Sequence, residues 1–275
     1  MLKQQYPSVN QRPLGWLLMG LITCVAALWG WERGQSYEER AKEAVRAAEE
    51  AAALALLALP DFASEPTVQA RKEAFFGYLI PLAEAENERV MRLRAEIEGW
   101  QARLLAGETL SDRTADRVRA VSELYYVSRD QSLLEQTEAL LVKVDAIPMS
   151  LILAQAANES AWGTSRFALL GNNLFGQWCF SEGCGVVPQG RPEGETYEVR
   201  AFDHAGLSVR AYILNLNRHN GYDELRALRA AARDEGELVS GLDLTQGLIA
   251  YSTRREEYVE ELNAMIRFNG LQALD

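Results

Sequence analysis

The chain has 275 residues, which suits about two domains and is ample for a hydrophobic core. It carries 28 lysines and arginines against 39 aspartates and glutamates, so its formal net charge is −11. That acidic balance argues against nucleic acid as a partner, because phosphates require basic patches. Two histidines leave little room for histidine-based catalysis or a three-histidine metal site. A hydrophobic content of 48% with 24% charged residues excludes bulk disorder.

An uncharged apolar segment at residues 14–31 predicts a membrane-spanning helix. Its length, at about 1.5 Å per residue, is close to the thickness of the hydrocarbon core. Lys3 and Arg12 precede it, which favours a cytoplasmic N-terminus. Tryptophans, which favour the membrane interface, lie near both of its ends: Trp16, Trp29 and Trp31. We expect residues 1–35 to be a single-pass signal anchor in the inner (cytoplasmic) membrane, with the rest of the chain on the periplasmic side.

The same apolar segment fits three further interpretations. It can be a cleaved signal peptide, for which Val25-Ala26-Ala27 is an acceptable cleavage site. It can carry a lipid on Cys24, although Thr23 is a poor residue before a lipidated cysteine. It can also be a buried core helix. In the anchor, signal-peptide and lipid cases the remaining chain is exported.

Residues 36–145 have the composition of a helical stalk. Alanine, glutamate and arginine, which are strong helix formers, dominate residues 36–59, and nothing interrupts them before Pro60. Residues 61–67 contain a further proline and are expected to be a linker. This half contains no cluster of catalytic residue types, so we interpret it as a spacer or an interaction module.

Two further helices are predicted beyond the linker. The first covers residues 68–106, with a kink or a break expected near Ile80 because Pro81 follows. The second covers residues 112–142 after a short turn, and Ser111 is a suitable N-cap. Together they would form an αα-hairpin. Apolar residues at coiled-coil spacing in the first helix can also pair two chains: Val90, Leu93, Ile97, Trp100 and Leu104.

The composition changes near residue 145, beyond which glycine, asparagine, tryptophan and tyrosine become frequent. A helix is predicted over residues 149–158, and its alanines allow it to be buried. Glu159 follows near the C-terminal end of this helix, and Gly163 is a plausible stop. Burial and the negative end of the helix dipole both disfavour an ionised carboxyl group. Glu159 therefore has the properties of a general acid, although a solvated glutamate at a helix end is an equally good interpretation.

Cys179 and Cys184 are close in the sequence. In an exported chain, a small-loop disulfide is the leading interpretation. A Cys2His2 zinc site with His204 and His219 is an alternative, but the spacing is not that of a zinc finger. Free thiols are the third alternative. We therefore predict a disulfide and no metal site.

The segment from Ala154 to Trp178 reads AQAANESAWGTSRFALLGNNLFGQW. It resembles the glucosaminidase-domain proteins of glycoside hydrolase family 73, and within them the Bax-type bacterial proteins. The resemblance continues in three more segments, which read CFSEGCGVVP, SVRAYILNLNRHNGYDELRALRA and GLIAYSTRREEYVEELNAMIRFN. It implies a lysozyme-like, mainly helical domain over residues 146–275 with a small β-containing lobe. It also implies cleavage of peptidoglycan after N-acetylglucosamine, with Glu159 as the catalytic acid and no cofactor.

The resemblance constrains the position of the second catalytic group less than that of Glu159. In relatives it lies in a variable lobe, which corresponds here to residues 177–203. An inverting glycosidase needs a second carboxylate roughly 6.5–9.5 Å from the acid, whereas substrate-assisted families use the acetamido group of the sugar. We favour Glu193 and Glu195, which lie on a predicted loop. The same lobe offers other carboxylates: Glu182, Glu198 and Asp203.

Substrate contacts are also implied by the resemblance. Tyr251 matches a family tyrosine that lines the catalytic cleft. The turn at residues 171–176, which contains Asn173 and Phe175, is placed beside that cleft, and Trp178 offers a surface for stacking on sugars. Basic residues and asparagines at 210–218 fit either a cleft wall or an ordinary surface helix.

The leading hypothesis is an endo-β-N-acetylglucosaminidase that acts on peptidoglycan glycan strands outside the inner membrane. A lytic transglycosylase would share the fold and the essential glutamate, but the NNLFG turn and the YSTRREEYV segment argue against it. A non-catalytic glycan-binding envelope scaffold is the third hypothesis, and the intact motif around Glu159 argues against it.

Overall fold

Nine α-helices and one small sheet make up residues 58–275, the part of the chain that the computed structural model describes. The helices are α1 (Val68–Leu105), α2 (Asp112–Leu124), α3 (Leu133–Lys143), α4 (Met149–Ser160), α5 (Arg166–Gly171), α6 (Ala205–Arg218), α7 (Asp223–Asp234), α8 (Gly241–Leu244) and α9 (Glu256–Phe268). The strands are β1 (Trp178–Cys179), β2 (Gly185–Val186) and β3 (Glu198–Arg200). The mainly helical class with a small β-containing lobe is confirmed.

The predicted membrane segment at residues 14–31 and most of the predicted stalk helix at 36–59 lie outside the described residues. Within residues 58–275, no helix is both long enough and apolar enough to cross a bilayer.

Helix α1 runs without a break through Pro81, so the split predicted near Ile80 is wrong. The side chain of Thr67 caps the helix by accepting a hydrogen bond from the backbone N–H of Ala70. Leu79 and Ala83, on either side of the proline, are completely buried. Packing of this continuous apolar face outweighs the backbone hydrogen bond that a proline removes.

The single helix predicted over residues 112–142 is two helices, α2 and α3. Tyr125 is completely buried at the break, and Tyr126 takes a left-handed conformation with a φ of 57°. Ser132 then starts α3 with a capping box, in which its side chain and that of Glu135 bond each other's backbone N–H groups. The long helix packs mainly against α3, so these helices do not form the predicted two-helix hairpin.

The linker predicted at residues 61–67 contains a 3-10 turn, Phe62–Ser64, which is docked onto the core. The ring of Phe62 is 1% exposed, and its centroid lies 5.4 Å from that of Phe75 and 5.8 Å from that of Tyr78. The sequence predicted a linker because residues 61–67 contain a proline and polar residues. A single aromatic residue gives no periodic pattern that would indicate a buried segment.

The apolar residues at coiled-coil spacing in α1 face the interior of their own chain. Val90, Leu93 and Ile97 are buried in the main core, and Trp100 packs partly buried against it. Their contacts are therefore made within one chain.

The helices on both sides of residue 145 share one hydrophobic core, and residues 58–275 lie within one compact unit. The boundary predicted at 145/146 thus lies inside that unit. Asp145 is buried there among three arginines: Arg94 of α1 at 3.5 Å, Arg229 of α7 at 3.9 Å, and Arg233 of α7, which makes two hydrogen bonds with it. The carboxylate therefore links the long helix to the C-terminal half.

The sheet is antiparallel, with β3 between β1 and β2. Val199 pairs with Trp178 on one side and Val186 on the other. The buried carboxylate of Glu198 accepts hydrogen bonds from the backbone N–H groups of Gly183 and Gly185, at 3.1 and 2.7 Å. These bonds fix the connection between β1 and β2.

We expect Asp145→Asn to lower the free energy of unfolding by about 3–5 kcal/mol, because it leaves the buried Arg229 without its carboxylate. Urea denaturation of the full chain measures this change. Asp116→Asn is the matched control, since it removes an exposed partner of Arg119 and should change stability little. Equal effects of the two substitutions would show that the Asp145 cluster does not hold the two halves together.

Candidate active site

The helix that carries Glu159 is almost entirely buried. Ten of the twelve residues of α4 are buried, including every residue from Met149 to Ala157. The helix ends in three successive residues with positive φ: Ala161 (50°), Trp162 (60°) and Gly163 (75°). A Cβ atom at Gly163 would come within 2.4 Å of the Phe62 ring, so only glycine fits at this position. This turn and the docked Phe62 fix the end of the helix on which Glu159 stands.

The side chain of Glu159 lines a cleft of about 540 Å³. Its walls are formed by residues of the 171–178 segment, the end of the sheet, one face of α6 and two tyrosines. The lining residues are Glu159, Phe175, Gly176, Gln177, Trp178, Arg200, Phe202, Leu207, Arg210, Ala211, Leu214, Asn215, Arg218, Tyr222 and Tyr251. Helix α6 is therefore a cleft wall, one of the two interpretations left open for residues 210–218.

The two oxygens of Glu159 have different surroundings. Oε1 accepts a hydrogen bond of 2.8 Å from the Tyr258 hydroxyl. Oε2 lies beside Gly176, where a Cβ atom would be 3.8 Å from it. Burial raises the pKa of Glu159 above the ordinary value of 4.5, and the hydrogen bond from Tyr258 opposes that rise in pKa.

A chain of hydrogen bonds lies behind Glu159. The Tyr212 hydroxyl donates to Oε1 of Gln155, and Nε2 of Gln155 donates to the Tyr258 hydroxyl oxygen at 2.9 Å. Tyr258 in turn donates to Glu159. Gln155 is completely buried, and Tyr212 and Tyr258 are each 1% exposed. Each hydrogen-bonding side-chain atom of these three residues has at least one partner.

Stacked aromatic rings hold the tyrosines of this hydrogen-bond series in place beside the cleft. Tyr251 lies parallel to Tyr258 with 5.5 Å between ring centroids, and its hydroxyl donates to the Phe175 carbonyl oxygen at 2.9 Å. Phe175 stacks on Tyr212 at 4.0 Å. The turn at residues 171–176 and helix α9 are thus tied together on either side of Glu159.

Four of the predicted site residues line the same cleft: Glu159, Phe175, Trp178 and Tyr251. Trp178 is 51% exposed and touches Tyr197 edge to face, so one side of its ring is available to a ligand.

Asn173 bonds the backbone around its own turn instead of lining the cleft. Its Nδ2 donates to the carbonyl oxygens of Gln177 and Arg200, and its Oδ1 accepts from the N–H groups of Phe175 and Gln177. It is 1% exposed and does not line the cleft. Asn173 therefore shapes the turn, and all of its side-chain donors and acceptors are used by backbone groups there.

Glu193 and Glu195 are exposed on the loop before β3, and neither lines the cleft. Glu198 is buried under the β1–β2 connection. Among residues 58–275, Glu159 is the only carboxylate in the cleft lining. The structure thus does not bring the predicted second carboxylates together with Glu159.

Cys179 and Cys184 form the predicted disulfide, with 6.2 Å between their Cα atoms. It closes the loop directly after Trp178, and Glu198 bonds the backbone of the same loop. The lobe that carries Trp178 is therefore cross-linked beside the cleft.

The sequence analysis identified neither Gln155 nor Tyr258 as a site residue. One signal was present for Gln155, because it precedes Glu159 by four residues and so lies on the same face of the helix. No local signal identified Tyr258, which is 99 residues from Glu159.

Comparisons with known proteins identify the family of this chain. The glucosaminidase family, described as mannosyl-glycoprotein endo-beta-N-acetylglucosaminidase, matches residues 135–271. Protein bax of Escherichia coli (strain K12) is 31% identical over 212 residues, which cover 77% of this chain and 74% of that protein. The chain belongs to the Bax-type glucosaminidase-domain proteins. The predicted resemblance is therefore confirmed, and the glucosaminidase domain indicates a glycan hydrolase. No solved structure matches the chain.

We expect Glu159→Gln to raise the free energy of unfolding of this glucosaminidase-domain protein at pH 7. A raised carboxyl pKa means that the ionised side chain destabilises the folded state at a pH above that pKa. The gain should vanish as the pH falls below the ordinary value of 4.5, where Glu159 is protonated in both states. Denaturation at pH 4 and pH 7 measures it, with the exposed Glu193→Gln as control. A loss of stability at pH 7 would contradict the buried-acid interpretation.

Proposed function

We propose that this protein is a peptidoglycan hydrolase that cleaves the glycan strand as an endo-β-N-acetylglucosaminidase, with Glu159 as general acid. The observation that carries the proposal is a partly buried carboxyl group with a raised pKa that faces an open cleft in a glucosaminidase-family chain. Such a group retains its proton at a higher pH than an ordinary carboxyl group. A helix-end acid beside a small β lobe also fits the lysozyme-like fold that the resemblance implies.

The hydrogen-bond chain supports a defined position for the proton on Glu159. Because Gln155 donates to the Tyr258 oxygen, the single hydroxyl proton of Tyr258 is directed at Oε1 of Glu159. Oε1 is thus an acceptor, and the transferable proton resides on Oε2. That oxygen lies beside Gly176, a cleft residue, where a glycosidic oxygen can receive the proton as the bond breaks.

The attacking group is the second part of the proposal. Within residues 58–275 no other carboxylate lines the cleft, which favours attack on the anomeric carbon by the substrate's own acetamido oxygen. The alternative is a water activated by Glu193 or Glu195, which requires their loop to approach the bound glycan. Tyr251 and Trp178 would provide surfaces on which sugar rings pack.

We also propose that residues 14–31 anchor the chain in the inner membrane, with the cleft on the periplasmic side. The support is the uncharged apolar segment with tryptophans near its ends and the disulfide, which persists in an oxidising compartment.

The products on purified peptidoglycan test the proposed activity. We expect the full chain to release reducing N-acetylglucosamine ends, detected by mass spectrometry, and Glu159→Gln to be slower by about 10²–10⁴-fold. Glu193→Gln and Glu195→Gln run in parallel, and a comparable loss in either would assign the base. Anhydro-muramic ends would instead identify a lytic transglycosylase, and binding without products would identify a glycan-binding scaffold.

Tyr258→Phe tests the position of the proton. Removing the hydroxyl takes away a hydrogen bond that lowers the pKa of Glu159. The acid then stays protonated to a higher pH, so the fall of kcat/KM with rising pH should move to higher pH while kcat decreases. Tyr251→Phe is the control, because that hydroxyl bonds Phe175 and not Glu159. A Tyr258→Phe profile that is unchanged, or shifted to lower pH, would contradict the proposed arrangement.

A further inference from the structure

The cleft has a charge opposite to that of the whole chain. The protein has a formal net charge of −11, yet the cleft lining contains three arginines, Arg200, Arg210 and Arg218, and one carboxylate, Glu159. Arg210 is already paired: its Nε lies 3.0 Å from Oε2 of the buried Glu86 on α1.

Arg200 and Arg218 have no carboxylate within 4.0 Å among residues 58–275. The guanidinium of Arg218 lies 4.7 Å over the ring of Tyr126, and its Nη1 makes a 3.4 Å contact with the Leu124 carbonyl oxygen. The guanidinium of Arg200 lies 5.1 Å from the ring of Phe202. Aromatic rings orient a guanidinium without neutralising it, so both side chains are held in place with their charge uncompensated.

We propose that Arg200 and Arg218 bind carboxylate groups of the glycan substrate. The inference rests on the proposed function, of which it specifies the substrate class. A guanidinium offers two parallel N–H groups that match the two oxygens of a carboxylate. Arg200 lies at the end of β3 and Arg218 at the end of α6, so the two cations come from different walls of the cleft.

Carboxylates in peptidoglycan have two sources. Where the stem peptide has been removed, the lactyl group of muramic acid ends in a free carboxylate. Where the peptide is present, its own carboxylates carry the charge. A neutral polymer of N-acetylglucosamine has neither, so the two arginines would distinguish peptidoglycan from neutral glycans with the same linkage.

The test measures the affinity of the full chain, with Glu159→Gln present throughout so that slow turnover does not consume the ligand. The ligands are glycan strands with their peptides, strands stripped of peptides by an amidase, and neutral N-acetylglucosamine oligosaccharides. The variants are Arg200→Gln, Arg218→Gln and Arg218→Lys. Arg113→Gln is the matched control, because it removes one exposed charge of α2 that is outside the cleft lining.

We expect each Arg→Gln substitution in the cleft to raise the Kd for carboxylate-bearing strands by about tenfold, with a weaker dependence on salt. Binding of neutral oligosaccharides should not change, Arg218→Lys should retain part of the affinity, and Arg113→Gln should match the parent. An effect on stripped strands assigns the lactyl carboxylate, and an effect confined to peptide-bearing strands assigns the stem peptide.

Unchanged affinity in both Arg→Gln variants would overturn the inference, and so would an equal loss of affinity for neutral oligosaccharides. Thermal unfolding of each variant separates a binding defect from a folding defect, and Arg218→Lys retains the charge beside Tyr126. The proposed hydrolase activity fails on a different result, which is the absence of products from the wild-type chain. The affinity measurement does not depend on that result.

Discussion

The burial of helix α4 is the constraint on which the rest of the structure depends. A helix with ten of twelve residues buried carries a carboxyl group at its last turn, where the group is partly withdrawn from water. Withdrawal raises the pKa of Glu159, and the same surroundings bring Tyr258 within hydrogen-bond distance of it. The glycine turn at Gly163 and the docked Phe62 hold the helix end in place. The raised pKa of Glu159 is thus a consequence of the core packing.

The charges buried between helices and two of the charges in the cleft differ in whether they have a partner of opposite charge. Asp145 and Arg229 are almost completely buried, and burial lowers the pKa of Arg229 to about 10 even beside that carboxylate. Arg229 also donates to Asn217 and to the carbonyl oxygens of Val142 and Lys143 at the end of α3, so its donors are well satisfied. Arg200 and Arg218, in contrast, meet aromatic rings and an open cleft. The charges of Asp145 and Arg229, which join helices, have partners of opposite charge, whereas Arg200 and Arg218 at the cleft have no carboxylate partner among residues 58–275.

The helical half takes part in the site as well as in the fold. Helix α1 shares its core with α4, and its Glu86 holds Arg210 at the cleft wall. The segment between α2 and α3 supplies the Tyr126 ring beneath Arg218. A spacer that merely separated the cleft from the membrane would need none of these contacts. The helices before residue 145 are therefore part of the unit that builds the cleft.

The sequence by itself determined the features that depend on near neighbours in the chain. Helical periodicity, the glutamate at the end of an alanine-rich helix and the closely spaced cysteines all follow from local pattern, whereas the small lobe was implied by the family resemblance. Only the tertiary structure decided that Pro81 stays inside a helix, that Tyr126 begins a break, and that Phe62 enters the core. It also decided that Tyr258 is the partner of Glu159 and that Glu193 and Glu195 stand outside the cleft. These outcomes depend on packing between residues far apart in the chain, which leaves no periodic trace in the sequence.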